Sequence, residues 1–354
     1  MNAPAPSTLA VNIHPMLRHF SKLLVVATLL LLFLGGQVKS NDAGLAVPDW
    51  PLTYGENPIT YPVSKWTGGI FHEHFHRLIA GIIALMTVVL AGLLQWREKR
   101  RWVKVLGWLS VFAVLLQALL GGLTVLYQLP DAVSSAHGLL AQSFFVLTII
   151  IAYALSKEWQ RRNHTVHSEG GENHSPVFKA TLLLIVFIYG QLLLGALTRH
   201  TDSALAIPDF PTTGNQVVPS FDDEMLTWIN DWRFDHTLET GVDLPDVEMW
   251  QVKLHFAHRV GAVIVTLFTL FLAWLAARND DRRPELVLVA YSLCGLVGIQ
   301  FFLGMMTVLT AEAALVASLH LMTGALFLGV TVYLALRAWT MTPNVEIVQV
   351  PHAS

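Results

Sequence analysis

Eight apolar runs recur along this 354-residue chain, at roughly 21–38, 74–95, 103–127, 133–156, 178–198, 254–277, 285–310 and 315–338. Crossing ~30 Å of hydrocarbon takes about 20 apolar residues in a helix, so each run is long enough to span a bilayer. Membrane strands are far shorter, and Leu and Ala run through several of these segments, so all eight are expected to be helices. The overall balance agrees. With 54% hydrophobic and only 13% charged residues, the chain lacks the charge to cover a water-soluble fold. The expected class is an all-α polytopic membrane protein whose surroundings are the lipid bilayer, with no nucleic-acid partner.

The first run is too long for a signal peptide and has no small-residue cleavage site, so it reads as a retained helix. Only Arg18 and Lys22 accompany its start, with no Arg-rich amphipathic presequence, which points to a bacterial cytoplasmic membrane rather than an organelle. The single cysteine, Cys294, falls inside the seventh run and reads as a small buried apolar residue, so no intrachain disulfide can form. Fifteen of the 22 Lys and Arg gather at one set of helix ends, around Arg18, Arg97–Lys104, Lys157–Lys179, Arg278–Arg283 and Arg337. Basic loops stay in the cytoplasm, so both termini are expected inside and the loops after odd-numbered spans outside.

The chain repeats itself. LGGQVKSNDAGLAVPDWP from Leu34 matches LGALTRHTDSALAIPDFP from Leu194, with Asp42 to Asp202 and Asp49 to Asp209 each 160 residues apart. EHFHR at Glu73–Arg77 matches HFAHR at His255–Arg259 at offset 182. QALLGGLTVL from Gln117 then matches QFFLGMMTVL from Gln300, and His137 matches His320, both at offset 183. Four blocks in one order mean two tandem halves of four spans. An even number of spans per half gives both halves the same orientation. The expected division is an N-terminal four-helix bundle over 1–160, a cytoplasmic linker over 161–177 with His164, His167 and His174, and a C-terminal bundle over 178–354. About 22 extra, largely acidic residues lengthen the second outer loop. The repeated PDWP and PDFP read as a shaped turn, with Pro fixing a dihedral and Asp free to accept a backbone N–H, so each outer loop is expected to be a structured lid.

Ionisable side chains inside a membrane are costly and usually functional. His76 and His137 are expected near the outer starts of spans two and four, and His258 and His320 at the same places in spans six and eight. Two imidazoles at one depth, facing across a bundle, suit axial ligation of a flat macrocycle. Zinc is a poor competitor, because no third ligand stands at helical spacing. Arg77 and Arg259 directly follow a ligand histidine and point either to heme propionates or to lipid headgroups. The pairs Gln117/Gln300, Gly121/Gly304 and Thr124/Thr307 are read as helix-packing positions. Three residues before the ligand, the first half has Glu73 where the second has His255. A carboxylate beside a porphyrin acts as a base or stabilises developing positive charge, so the first half is read as the chemical one.

At these residues the chain resembles the heme A synthase family of bacteria and mitochondria, from ExxHR and HxxHR through GLAVPDWP and GGLTVL to the two later histidines. The resemblance implies an oxidoreductase acting on a CH group. It would oxidise a porphyrin methyl group of heme O to the formyl group of heme A, the cofactor of terminal oxidases. It further implies that His76, His137 and Arg77 take the substrate heme, that His258, His320 and Arg259 hold a heme b, and that Glu73 is catalytic. The partners implied are heme O with its supplying farnesyltransferase and an electron acceptor that the residues do not identify; homo-oligomerisation stays open. Some members carry cysteine pairs in the outer loops, and this chain has none. The alternative is a diheme electron-transfer protein of the cytochrome b561 type, whose hemes lie near opposite membrane faces. A parallel-repeat transporter would need polar residues at the bilayer midplane, and few are present.

Orientation can be read directly with reporter fusions. A reporter active only in the cytoplasm should work when fused after Ser354, and one active only outside should work within 200–252. The reverse pattern would move all four histidines to the inner face.

Overall fold

A computed structural model describes residues 14–163, 175–241, 243–279 and 283–339. Both termini, and His164, His167 and His174 of the expected linker, lie outside the described residues. Among the described residues ten α-helices follow one another: α1 Pro15–Ser40, α2 Gly69–Arg97, α3 Arg101–Leu126, α4 Asp131–Ala154, α5 Lys157–Asn163, α6 Pro176–His200, α7 Asp223–Thr240, α8 Met249–Asn279, α9 Pro284–Leu309 and α10 Ala314–Trp339. All of them except α5 and α7 are long and apolar enough to cross a membrane, and these eight coincide with the eight apolar runs. The chain is thus an all-helical, multi-pass membrane protein.

Local chemistry sets the helix ends. Ser175 Oγ accepts the Phe178 amide at the start of α6, and Pro176 fills the first helical position, where no N–H is needed. Asp222 caps α7 through the Met225 amide, and left-handed Gly241 (φ 72°) ends it. Within the spans, hydroxyls find acceptors on their own helix: Thr28, Thr87, Thr181, Thr269 and Thr331 each donate to the carbonyl four residues back at 2.7 Å. Such a hydroxyl brings no unpaired polar group into hydrocarbon.

Each half closes into a ring. Helix α1 packs on α2, α2 on α3, α3 on α4, and α4 returns to α1; α6, α8, α9 and α10 repeat the circuit. Thus α2 stands diagonally across from α4, and α8 from α10. The halves meet along α1, α4, α6 and α10. There Leu32, Phe145 and Ala325 are buried together, and Gly36 lets α1 approach Ser318 of α10, 3.1 Å from where a Cβ would stand. Arg199 of α6 reaches across to donate to the Gly36 carbonyl (2.9 Å) and Ser40 Oγ (2.6 Å) on α1. At the opposite end, Glu158 of α5 accepts from Arg337 (2.6 Å) and Tyr333 (3.1 Å) of α10.

Gly329 marks the tightest helix contact between halves: a Cβ there would meet Ile149 Cδ1 at 2.6 Å and Phe145 Cε1 at 2.9 Å. Overpacking of this kind costs about 1–3 kcal/mol. Gly329→Ala should therefore lower the thermal unfolding temperature in detergent. Gly190→Ala, where a Cβ meets nothing within 4 Å, should not. Equal unfolding temperatures for the two variants would refute close packing at this seam.

Candidate heme sites

Each of the four candidate ligands lies on a glycine of the preceding span. A Cβ on Gly35 of α1 would stand 3.1 Å from His76 Cε1, and one on Gly121 of α3 would stand 3.1 Å from His137 Cε1. The second half repeats this with Gly195 of α6 beneath His258 (2.9 Å) and Gly304 of α9 beneath His320 (3.0 Å). A larger residue at any of these positions would push the imidazole off its helix. Gly121 and Gly304 are packing positions, as the sequence suggested, but what packs on them is the ligand ring.

A glutamine stands one turn before three of the four glycines. Gln117 Nε2 donates to the His137 carbonyl (2.9 Å) and lies 3.4 Å from His137 Nε2. Gln191 Nε2 donates to the His258 carbonyl (2.9 Å) and lies 3.0 Å from His258 Nδ1. Gln300 Nε2 lies 3.4 Å from His320 Nε2. These are the outer partners that metal-ligating histidines generally have. By contrast, the Thr124 and Thr307 hydroxyls bond only carbonyls of their own helices, at 2.7 and 2.8 Å.

His76 and His137 are close enough to interact electrostatically across the first bundle, and so are His258 and His320 across the second. The Nδ1 atoms of His76, His137 and His320 are buried without a hydrogen-bond partner. Opposed imidazoles on diagonal helices, with ring nitrogens not consumed by the protein, fit a heme in each bundle. No cluster of three or more His, Cys, Asp or Glu suited to a metal ion occurs among the described residues, so a zinc-like set has no support there.

The ligands sit deeper than expected from the apolar runs. His76 and His258 lie seven and nine residues into α2 and α8, and His137 and His320 six into α4 and α10. At ~1.5 Å per residue that is roughly 9 to 14 Å below each helix start rather than within the first turn. All four histidines are still near one membrane face, unlike the arrangement of the b561-type alternative.

The roof is held by the arginines. Arg77 Nη1 donates to the carbonyls of Asp49 (2.7 Å) and Leu52 (3.2 Å), and Nη2 to that of Val47 (2.8 Å) and to the Glu73 carboxylate. Arg259 does the same with Asp209 (2.6 Å), Thr212 (3.1 Å) and Ile207 (3.0 Å). These are the repeat equivalents, each 160 residues on. Both guanidinia are turned onto the loop. Glu73, 4% exposed, accepts the Val47 amide at 2.7 Å, and His255 Nδ1 accepts the equivalent Ile207 amide at 3.1 Å. Glu73 and His255 thus share one loop contact despite their different chemistry.

The lids are structured, as expected. Asp49 accepts the Tyr54 and Gly55 amides (2.8 and 2.7 Å) around the turn, and both halves have a cis proline there, Pro51 and Pro211. Burial pushes the Asp49 carboxyl up, but the Gly55 and Tyr54 amides outweigh it and hold its pKa below the ordinary value. Trp50 lies against α3, where a Cβ on Gly122 would be 2.6 Å from its ring. His74, unread in the sequence, is fully buried under this lid, 3.1 Å from Thr53 Oγ1 and edge-on to Trp66. Its repeat partner is Phe256, packed on Phe221, so the position anchors a lid in both halves. The extra residues of the second loop form α7, whose Met225 and Ile229 pack on Ile207 and Val252. Buried Arg233 of α7 donates to the carbonyls of Leu205 and Pro245, both at 2.8 Å.

The chain matches the family model COX15-CtaA, described as cytochrome oxidase assembly protein, over residues 2–146 and 65–332. It is 24% identical over 327 residues to a heme A synthase of Lysinibacillus sphaericus, covering 90% of this chain and 94% of that one. A heme A synthase of an Exiguobacterium species is 26% identical over 332 residues, covering 93% and 95%. One from Halalkalibacterium halodurans is 26% identical over 319 residues, covering 87% and 92%.

Because one guanidinium spans three carbonyls, lysine cannot replace it. Arg259→Lys should expose the 201–218 segment to protease. Losing one charged hydrogen bond costs about 1.5–3 kcal/mol, so cleavage should quicken by roughly tenfold or more. Unchanged cleavage would remove the anchoring role.

Proposed function

Because the chain belongs to the COX15-CtaA family of cytochrome oxidase assembly proteins, we propose that it works as a heme A synthase, the name its bacterial relatives carry. The substrate is heme O, delivered by the farnesyltransferase that makes it, and the reaction converts a porphyrin methyl group to a formyl group. The observation that carries this reading is the pair of matched histidine sets, each ring on its own glycine, at one depth in two bundles. His76 and His137 take the substrate, and His258 and His320 hold a heme b that supplies one-electron transfer when bound. Both sites lie toward the outer face of a bacterial cytoplasmic membrane, with the termini inside.

Taking a methyl carbon to the formyl level brings in one oxygen atom and passes four electrons to an acceptor outside the chain, with release of protons, so a base or a negative charge is needed beside the reacting carbon. Glu73 fits that need, three residues from His76 on one helical face and screened from water by the lid. Holding the loop does not by itself demand a carboxylate, since His255 makes the same contact in the second half. The carboxylate is therefore the chemical difference between the bundles. Arg77 orients it and keeps the lid closed above it.

Two variants separate chemistry from loop holding. Glu73→Gln keeps size and, through its one oxygen, the Val47 amide contact, and Glu73→His copies the second half's own contact. Both should leave membrane expression and heme b content near normal while slowing conversion by ~10² to 10⁴. Hemes extracted from cells with a heme O source should then be heme O or its hydroxylated form, by mass. Normal heme A output from both variants would end the catalytic assignment.

A further inference from the structure

The four histidine seats are alike except at one position. Gln117, Gln191 and Gln300 each stand four residues before the seat glycine, and the corresponding residue before Gly35 is Leu31. Leu31 packs into the apolar core of the first bundle and offers His76 no polar group. We propose that Leu31 makes His76 the detachable ligand of the first site, so that heme exchanges there, while Gln191 and Gln300 fasten both ligands of the second. The proposal rests on the heme-binding reading above and extends it to what makes one site exchange and the other retain.

An imidazole that gives Nε2 to iron carries its proton on Nδ1, and that buried N–H needs an acceptor. The side-chain oxygens of Gln117, Gln191 and Gln300 are all buried without a partner, and so are Nδ1 of His137 and Nδ1 of His320. These deficits are complementary. Nε2 of Gln117 and Gln191 stays on the histidine carbonyl. A turn of the His137 and His320 rings, which heavy-atom positions do not fix, brings Nδ1 to the glutamine side, as it already stands in His258. There the carboxamide oxygen can accept the ring N–H and raise the basicity of the ligand. His76 has the same buried, unpartnered Nδ1 and no carboxamide to meet it. Gln117 still backs His137, so the first site has one supported ligand and one unsupported. Heme there stays attached on one side while His76 releases, which frees one face of the iron without loss of the substrate.

The test uses the full-length protein in detergent, loaded with hemin and mixed with excess apomyoglobin, which captures heme as it dissociates. The wild-type protein should release heme in a fast and a slow phase. His76→Ala should remove or further speed the fast phase alone, and His258→Ala should do so for the slow phase alone. Outer partners of ligand histidines typically change affinity about 10- to 100-fold. Leu31→Gln should slow the fast phase by that factor and sharpen the low-spin absorption band of its heme. Gln191→Leu, close in volume, should speed the slow phase by a similar factor, which keeps the idea testable if Leu31→Gln fails to fold. If both histidine variants behave as stated but Leu31→Gln or Gln191→Leu leaves its phase unchanged, the role of position 31 is wrong and the heme reading survives. If neither histidine variant alters either phase, the hemes lie elsewhere and both readings fall.

Discussion

A polar group in hydrocarbon must find its partner within the protein, and this requirement organises the molecule. Threonine hydroxyls meet it on their own helices, and arginine guanidinia meet it on the carbonyls of the outer loops. Not all of the four central imidazoles meet it in full. Three keep a buried nitrogen without a partner, and the glutamines beside them keep an oxygen in the same condition. Six such atoms gather around the histidines of the two bundles, beside others at Arg18, His74, Ser134, Ser135, Gln142, Trp159 and Asp209. The glycines beneath the rings show that the seats are shaped and not merely vacant of side chains.

Much of this was legible in the sequence. Eight spans could be read because length and apolarity alone decide a membrane helix, and the two halves because Asp42, Asp49, His76 and His137 recur at near-constant offsets. Helix α7 was missed because it is polar and acidic, and hydropathy does not register such a helix. Its signal was there in Asp222 as a cap, followed by Met225 and Ile229 at helical spacing. The arginines were harder. Arg77 reads the backbone of a loop about 28 residues away in sequence, and no side-chain pattern in that loop announces a carbonyl acceptor. Gln191 escaped for another reason: its repeat mate is Leu31, so comparison of the halves hid the motif that Gln117 and Gln300 shared.

The two bundles share one architecture and differ at few positions of their centres and lids. The seats, the lid anchors and the proline turns are common property. The differences fall at Glu73 against His255, Leu31 against Gln191, Trp50 on Gly122 against Phe210 beside Phe301, and the added α7. The first two lie within one or two turns of His76 and its seat. The changes are local, and the surrounding ring of helices has no need to accommodate them. Shared packing along α1, α4, α6 and α10 holds the two bundles side by side.

Arg77 and Arg259 grip carbonyl oxygens, and every residue type has one. An anchor of this kind constrains the course of the loop and is indifferent to its spelling. The burden of specifying the course falls instead on Pro48, Asp49 and Pro51 and their counterparts, while neighbouring letters are at liberty to drift. Within this one molecule Val47 has become Ile207, Trp50 has become Phe210 and Leu52 has become Thr212, under the same grip. The lining residues of each cover can therefore differ, as they do between the two halves, without loosening the arginine anchor that holds it.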